Sequence, residues 1–132
     1  MSLALAARAR SRPILAAAQF LTAGWMASVA AWRWVDPGLR PFVYAGIDAA
    51  LAAGFLRLSH GRWFPVPLFL LHGALIVYHL YAAVIEATTF WVGAFLNRAF
   101  ELALAYVAAC AAYRIAHLAR KEKGAPKKAR PR

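Results

Sequence analysis

From Trp63 to Ile85 the chain runs for twenty-three residues without one formally charged side chain, yet the run contains two histidines, His72 and His79. A stretch of that length is enough for a helix to cross the hydrocarbon core of a bilayer. Lipid offers no hydrogen bonds, so a polar ring placed there has to be paired within the protein, turned into a bundle interior, or used. The fold is therefore constrained to one that encloses these two rings.

The rest of the sequence agrees with a membrane setting. Hydrophobic residues make up 63% of the 132-residue chain, against roughly 45–50% in soluble domains. The apolar runs lack the two-residue alternation of a barrel strand, and only helices or closed barrels satisfy every backbone group in lipid. The fold class expected is all-α: one four-helix transmembrane bundle, up-down-up-down, with spans at about 13–32, 41–58, 64–86 and 97–117. Asp36-Pro37-Gly38 and Ser59-His60-Gly61 supply turn chemistry between spans. Pro13, Pro41 and Pro65 stand where helices begin, at positions whose N–H is unpaired in any case. Trp32, Trp34, Trp63 and Trp91 fall at the expected interfaces, as in an aromatic belt. The segment Ala87–Leu96, with Phe90, Trp91, Gly93 and Phe95, reads as an interfacial connection.

Charge placement orients the bundle. Arg8, Arg10, Arg12, Arg57, Arg62 and the series from Arg114 to Arg132 hold thirteen of the sixteen Lys and Arg residues, leaving Arg33, Arg40 and Arg98 for the opposite side. The positive-inside rule then places both termini in the cytoplasm and the chain, as a multi-pass protein, in a bacterial inner membrane. Residues 1–12 form a basic N-terminus, and 119–132 a basic tail expected to be disordered. The tail's charge is explained by anionic lipid headgroups, and no nucleic-acid partner is expected. Ser28-Val29-Ala30 after an apolar stretch also fits a signal-peptide cleavage pattern, although the uncharged run is long for one. The single cysteine, Cys110, reads as a small buried apolar residue and allows no disulfide framework.

Helices in lipid associate largely by close packing of small residues. Ala23, Ala27 and Ala31, then Gly46, Ala50 and Gly54, then Ala105, Ala108 and Ala112 form such stripes, serving contacts either within the bundle or between subunits.

The candidate site is the intramembrane polar set Asp48, His72, His79 and Glu101. His72, His79 and Glu86 are spaced by seven, so they share one helix face. The two histidines stand about 10.5 Å apart along the axis at ~1.5 Å per residue, poorly placed to hold one metal ion together. Depth counting yields an inner tier of Asp48 with His72, and an outer tier of His79 with Glu101, near Asn97, with Tyr106 below. A blander pattern has Asp48 and the histidines fixing helix register while Glu101 pairs with Arg98 at the surface. Asp48 is the costliest member, since an acid mid-span costs roughly 2.5–3.5 kcal/mol on insertion scales. Glu86 and Asp36 read as solvated charges at the outer surface. Pro65 and Pro67 leave a carbonyl free or bend the third helix near its start.

No Walker A loop, HExxH, CxxC or nucleophile elbow is present. The function expected is that of a small non-enzymatic accessory or interaction subunit, in a homo-oligomer or a larger membrane complex. A proton or ion path through Asp48, His72 and His79 is the alternative, though the inner half offers no matching acid. A redox protein is a further alternative, either with haem b on His72 or His79, which would need a second axial ligand from another helix or subunit, or with a metal held by a histidine and carboxylates.

Overall fold

The computed structural model describes residue 4, residues 7–9, 11–85 and 90–124, with backbone alone for 90–97 and 122–124. Among the described residues the chain is all-helical. Its four long helices are α1 (Arg12–Trp34), α2 (Arg40–Leu58), α3 (Val66–Ile85) and α4 (Phe90–Gly124), each long and apolar enough to cross a membrane.

The helix boundaries follow the local chemistry. Pro13 and Pro41 lie in the first turns of α1 and α2. Pro67 lies in the first turn of α3, where its missing N–H removes no intrahelical bond, so it acts as a start signal and not as a bend. After α1, Asp36 organises the turn by accepting the Gly38 N–H on Oδ1 at 2.9 Å, and Arg40 Nε donates to the Val35 carbonyl at 3.0 Å. After α2, Ser59 Oγ donates back to the Leu56 carbonyl at 2.7 Å, and Gly61 turns the chain at φ 70°. That φ lies in the left-handed region that favours glycine.

Three departures from the sequence reading concern α3 and α4. Helix α3 begins at Val66, two residues later than expected, because Pro65 and Pro67 confine the start to that first turn. Helix α4 begins at Phe90, so residues 90–96, expected as an interfacial connection, are helical instead, and residues 87–89 of that connection lie outside the described residues. Gly93 is tolerated inside the helix, at a cost of about 1 kcal/mol relative to alanine. At the other end α4 runs to Gly124, so the first part of the basic tail is helical too. The expectations for Glu86 and for the tail beyond Gly124 lie outside the described residues, as do the side chains of Trp91 and Asn97.

The helices pack in a ring in which α2 lies most extensively against α3, α1 lies against α2, and α4 closes on α1. The core contains Ala17, Ala18 and Leu21 from α1, Leu51 and Phe55 from α2, Leu68 from α3, and Ala103, Val107 and Ala111 from α4. Two glycines set the α1–α2 approach. A Cβ on Gly24 would stand 2.6 Å from Leu51 Cδ1, and one on Gly54 would stand 3.0 Å from the Phe20 ring. Phe20 in turn meets Phe55 edge-on, with ring centroids 6.1 Å apart.

The small-residue stripes divide between inside and outside. Ala31 is buried and Gly54 half-buried, but Ala23, Ala27, Gly46 and Ala50 are exposed. On α4 the inward stripe is Ala99, Ala103, Val107 and Ala111, whereas Ala105 and Ala112 face outward. An alanine-rich helix offers several four-residue repeats of similar smoothness, so its phase is poorly marked by sequence. Trp32, Trp34 and Trp63 are exposed at helix ends, where an interfacial belt would put them.

Candidate functional site: a carboxylate between two histidines

Asp48 lies mid-way along α2 and is 3% exposed. Its Oδ1 stands 2.7 Å from His72 Nδ1, and its Oδ2 stands 3.2 Å from His79 Nε2. One carboxylate thus serves both imidazoles of α3. Helical rise explains why this is possible: the histidines are two turns apart, Asp48 sits at a depth between them, and each ring reaches toward it from its own level. An ionised carboxylate only accepts, so the His72 contact has Nδ1–H donating. That leaves His72 Nε2 buried, with no hydrogen-bond partner among the described residues.

Aromatic rings enclose the cluster. His72 stacks on Phe55 at 5.5 Å between centroids and lies tilted against Phe100 of α4 at 5.7 Å. His79 lies against Tyr44 at 5.4 Å and Tyr78 at 5.7 Å. The sequence reading did not single out these rings, although a signal existed. Tyr44 and Phe55 stand four before and seven after Asp48, on the same face of α2, and so share its direction into the bundle.

The inner tier expected from depth, Asp48 with His72, is present. The outer tier is not. Glu101 lies on α4 with its side chain 63% exposed and accepts from Arg98 Nη1 at 2.6 Å, the i, i+3 surface pair that was the blander expectation. His79 takes Asp48 as its partner instead. The physical reason is rotational phase: Ala99, Ala103 and Val107 form the inward face of α4, and Glu101 lies away from it. Tyr106 likewise does not extend the outer tier. Its Oη donates to the carbonyl of Phe64 at 2.9 Å, tying α4 to the start of α3. Cys110 is half-buried, where the sequence leads one to expect a small buried apolar residue.

Among the described residues no group of three His, Cys, Asp or Glu side chains is placed to hold a metal ion. The haem expectation meets a similar difficulty. His72 Nε2 is the nitrogen an iron would take, but it is enclosed and its ring lies against Phe55 and Phe100, so a macrocycle would have to displace them. His79 Nε2 is turned to Asp48. What the arrangement does chemically is hold α2 to α3 through a shared carboxylate and present three titratable groups in one line.

No family model matches the chain, and no curated protein or solved structure is significantly similar to it. The class rests on the helices themselves: four apolar segments of spanning length, in keeping with a multi-pass membrane protein.

Proposed function

We propose that this chain is a non-enzymatic, multi-pass protein of the bacterial inner membrane that serves as a small accessory or interaction subunit, in a homo-oligomer or a larger membrane complex. The observation that carries the reading is the outward position of Ala23 and Ala27 on α1 and of Gly46 and Ala50 on α2. Smooth small-residue faces that the bundle does not consume are where another transmembrane helix approaches closely, because van der Waals packing supplies much of helix association in lipid. The Asp48–His72–His79 cluster is then the internal clamp that fixes α2 against α3. An up-down-up-down bundle with both termini cytoplasmic accords with the short connections and the positive-inside asymmetry. The basic tail adds attraction to anionic lipids. Cross-linking in native membranes tests the reading, with Ala27→Cys and Gly46→Cys as reporters in a Cys110→Ala background. Adducts larger than the monomer at both positions are expected, and monomer alone would end it.

A second reading is favoured by one specific contact pattern, in which each oxygen of Asp48 faces an imidazole. Such a line can pass a proton from His79 through the carboxylate to His72. No acid continues it below His72, which is why it stands second. Asp48→Asn in liposomes should abolish pH-driven flux if this reading is correct. Unchanged flux would remove it.

A further inference from the structure

At the end of the bundle where α1 begins and the α2–α3 turn lies, the structure has an open cavity of about 440 Å³. Its wall contains Arg12 from the first turn of α1, Arg62 from the turn before α3, and Arg114 from α4, together with Ser11 and Trp63. Three guanidinium-bearing residues from three distant stretches of chain therefore border one space, and among the described residues no acidic side chain borders it with them. The ion pair that arginine makes among the described residues is Arg98 with Glu101, which lies elsewhere. Arg114 spends Nε on the Ala9 carbonyl at 3.2 Å, an anchoring bond that leaves its two terminal nitrogens.

Two further features favour negative charge. Ser11 is only 9% exposed, lies in the wall, and its side chain caps no N–H of α1. No acidic residue occupies the first turn of α1, so the positive end of that twenty-three-residue helix also opens here. Like charges gathered at a membrane boundary repel one another unless an anion joins them. Guanidinium forks match phosphate oxygens in shape as well as charge. The volume lies within the roughly 300–1,000 Å³ of small-ligand pockets. Trp63 is 75% exposed beside the cavity, in the manner of a headgroup-level anchor.

We propose that this cavity binds a phosphate-bearing anion, held by Arg12, Arg62 and Arg114 with Ser11 as an additional donor. The phosphate comes from the headgroup of an anionic phospholipid or from a soluble phosphate, and basic pockets between membrane helices are suited to the former. The site is separate from the Asp48 cluster and does not depend on the proposed function.

The test is native mass spectrometry of the full-length protein released from dodecyl maltoside, titrated with phosphatidylglycerol, with phosphatidylcholine and with inorganic phosphate. Bound phosphatidylglycerol in preference to phosphatidylcholine is expected, and competition by inorganic phosphate separates the two sources of the group. Arg62→Gln and Arg114→Gln should each weaken binding about tenfold, the loss of one charge-assisted contact. Arg57→Gln removes the same charge at the same end but outside the cavity, and Lys127→Gln/Lys128→Gln does so in the tail. Both should keep wild-type affinity. Arg62 lies in a turn, so its replacement tests the site even if Arg114→Gln, which gives up the Ala9 bond, fails to fold. Equal binding by wild type and Arg62→Gln, or an equal loss in Arg57→Gln, overturns the proposal.

Discussion

Asp48 and His72 meet at 2.7 Å across the α2–α3 interface, with both residues no more than 3% exposed. A contact of this kind holds two helices at one register, because sliding either by a residue would leave a carboxylate and an imidazole unpaired inside the bundle. The cost of that unpairing, more than the net strength of the bond, gives it its specificity. Asp48→Asn keeps one acceptor oxygen and should destabilise the bundle by about 1 kcal/mol, while Asp48→Ala strips the partner from two imidazoles and should cost about 2–3 kcal/mol. SDS titration in mixed micelles, followed by far-UV circular dichroism, measures both. Unfolding of Asp48→Ala at the wild-type SDS fraction would show that the contact does not hold the helices.

The buried, unpartnered Nε2 of His72 leads to a different outcome for the double replacement. His72→Phe alone deprives the Asp48 carboxylate of its closest donor, and Asp48→Leu alone leaves the imidazole with both nitrogens unmatched. Replacing both removes the two groups that meet at 2.7 Å and fills the space with apolar volume, so that His79 alone is left without its partner. Buried ionic pairs exchanged in this way are often neutral or stabilising. Asp48→Leu/His72→Phe should therefore be more stable than Asp48→Leu alone, with a coupling of about 1–2 kcal/mol in a double-mutant cycle. Strict additivity of the two single effects would contradict the geometry.

Depth was readable from the sequence, whereas rotation was not. Counting residues from the turns placed Asp48 between the two histidines, and the seven-residue spacing placed those histidines on one face; both are as found. The same counting puts Glu101 at the level of His79, yet it faces outward beside Arg98. Level depends on the rise per residue, which the chain's turns fix. Rotation depends on which face of α4 carries the contact stripe, and that helix has alanine at positions 99, 103, 105, 108, 109, 111 and 112. With so little contrast in side-chain size, only packing against α1 selects the inward face. Gly93 misled for a related reason: glycine weakens a helix, but it does not end one that is stabilised on either side.

Glycines at different positions in the bundle should respond in opposite directions. Gly24 has Leu51 against it, so Gly24→Val forces that side chain aside and should cost about 1–3 kcal/mol by overpacking. Gly46 has nothing within 4 Å of an added Cβ, so Gly46→Ala should leave the monomer unchanged or stabilise it by up to about 1 kcal/mol. The same SDS titration reads both variants. A destabilised Gly46→Ala would mean that a neighbouring helix already occupies that face in the purified protein.

Glu101 supplies a direct contrast with Asp48. Its pair with Arg98 is exposed and local, and such pairs contribute about 0–1 kcal/mol. Glu101→Gln should shift the unfolding midpoint by less than about 0.5 kcal/mol. A loss comparable to that of Asp48→Ala would restore Glu101 to the polar cluster and require α4 to be rotated from its observed phase.

Tyr106 offers the test of how α4 is fixed to α3. Its hydroxyl donates to the Phe64 carbonyl at 2.9 Å, at the proline-marked start of α3. Pro67 cannot donate back to Trp63, whose carbonyl takes the Val66 N–H at 3.1 Å instead. The chain thus enters α3 through a tight turn whose neighbouring carbonyl is satisfied from another helix. Tyr106→Phe keeps the ring and its packing while removing the donor, so it should cost about 1 kcal/mol, within the range for a single hydrogen bond in a membrane protein. Because the bond joins distant stretches of chain, its loss should also speed amide hydrogen exchange at Phe69, whose N–H donates to the Pro65 carbonyl at 3.0 Å, next to the Phe64 carbonyl that Tyr106 holds. Exchange at Leu75, deeper in the same helix and held by the core, should not change. Uniform acceleration along α3 would mean that Tyr106 supports the bundle as a whole and not its entry turn.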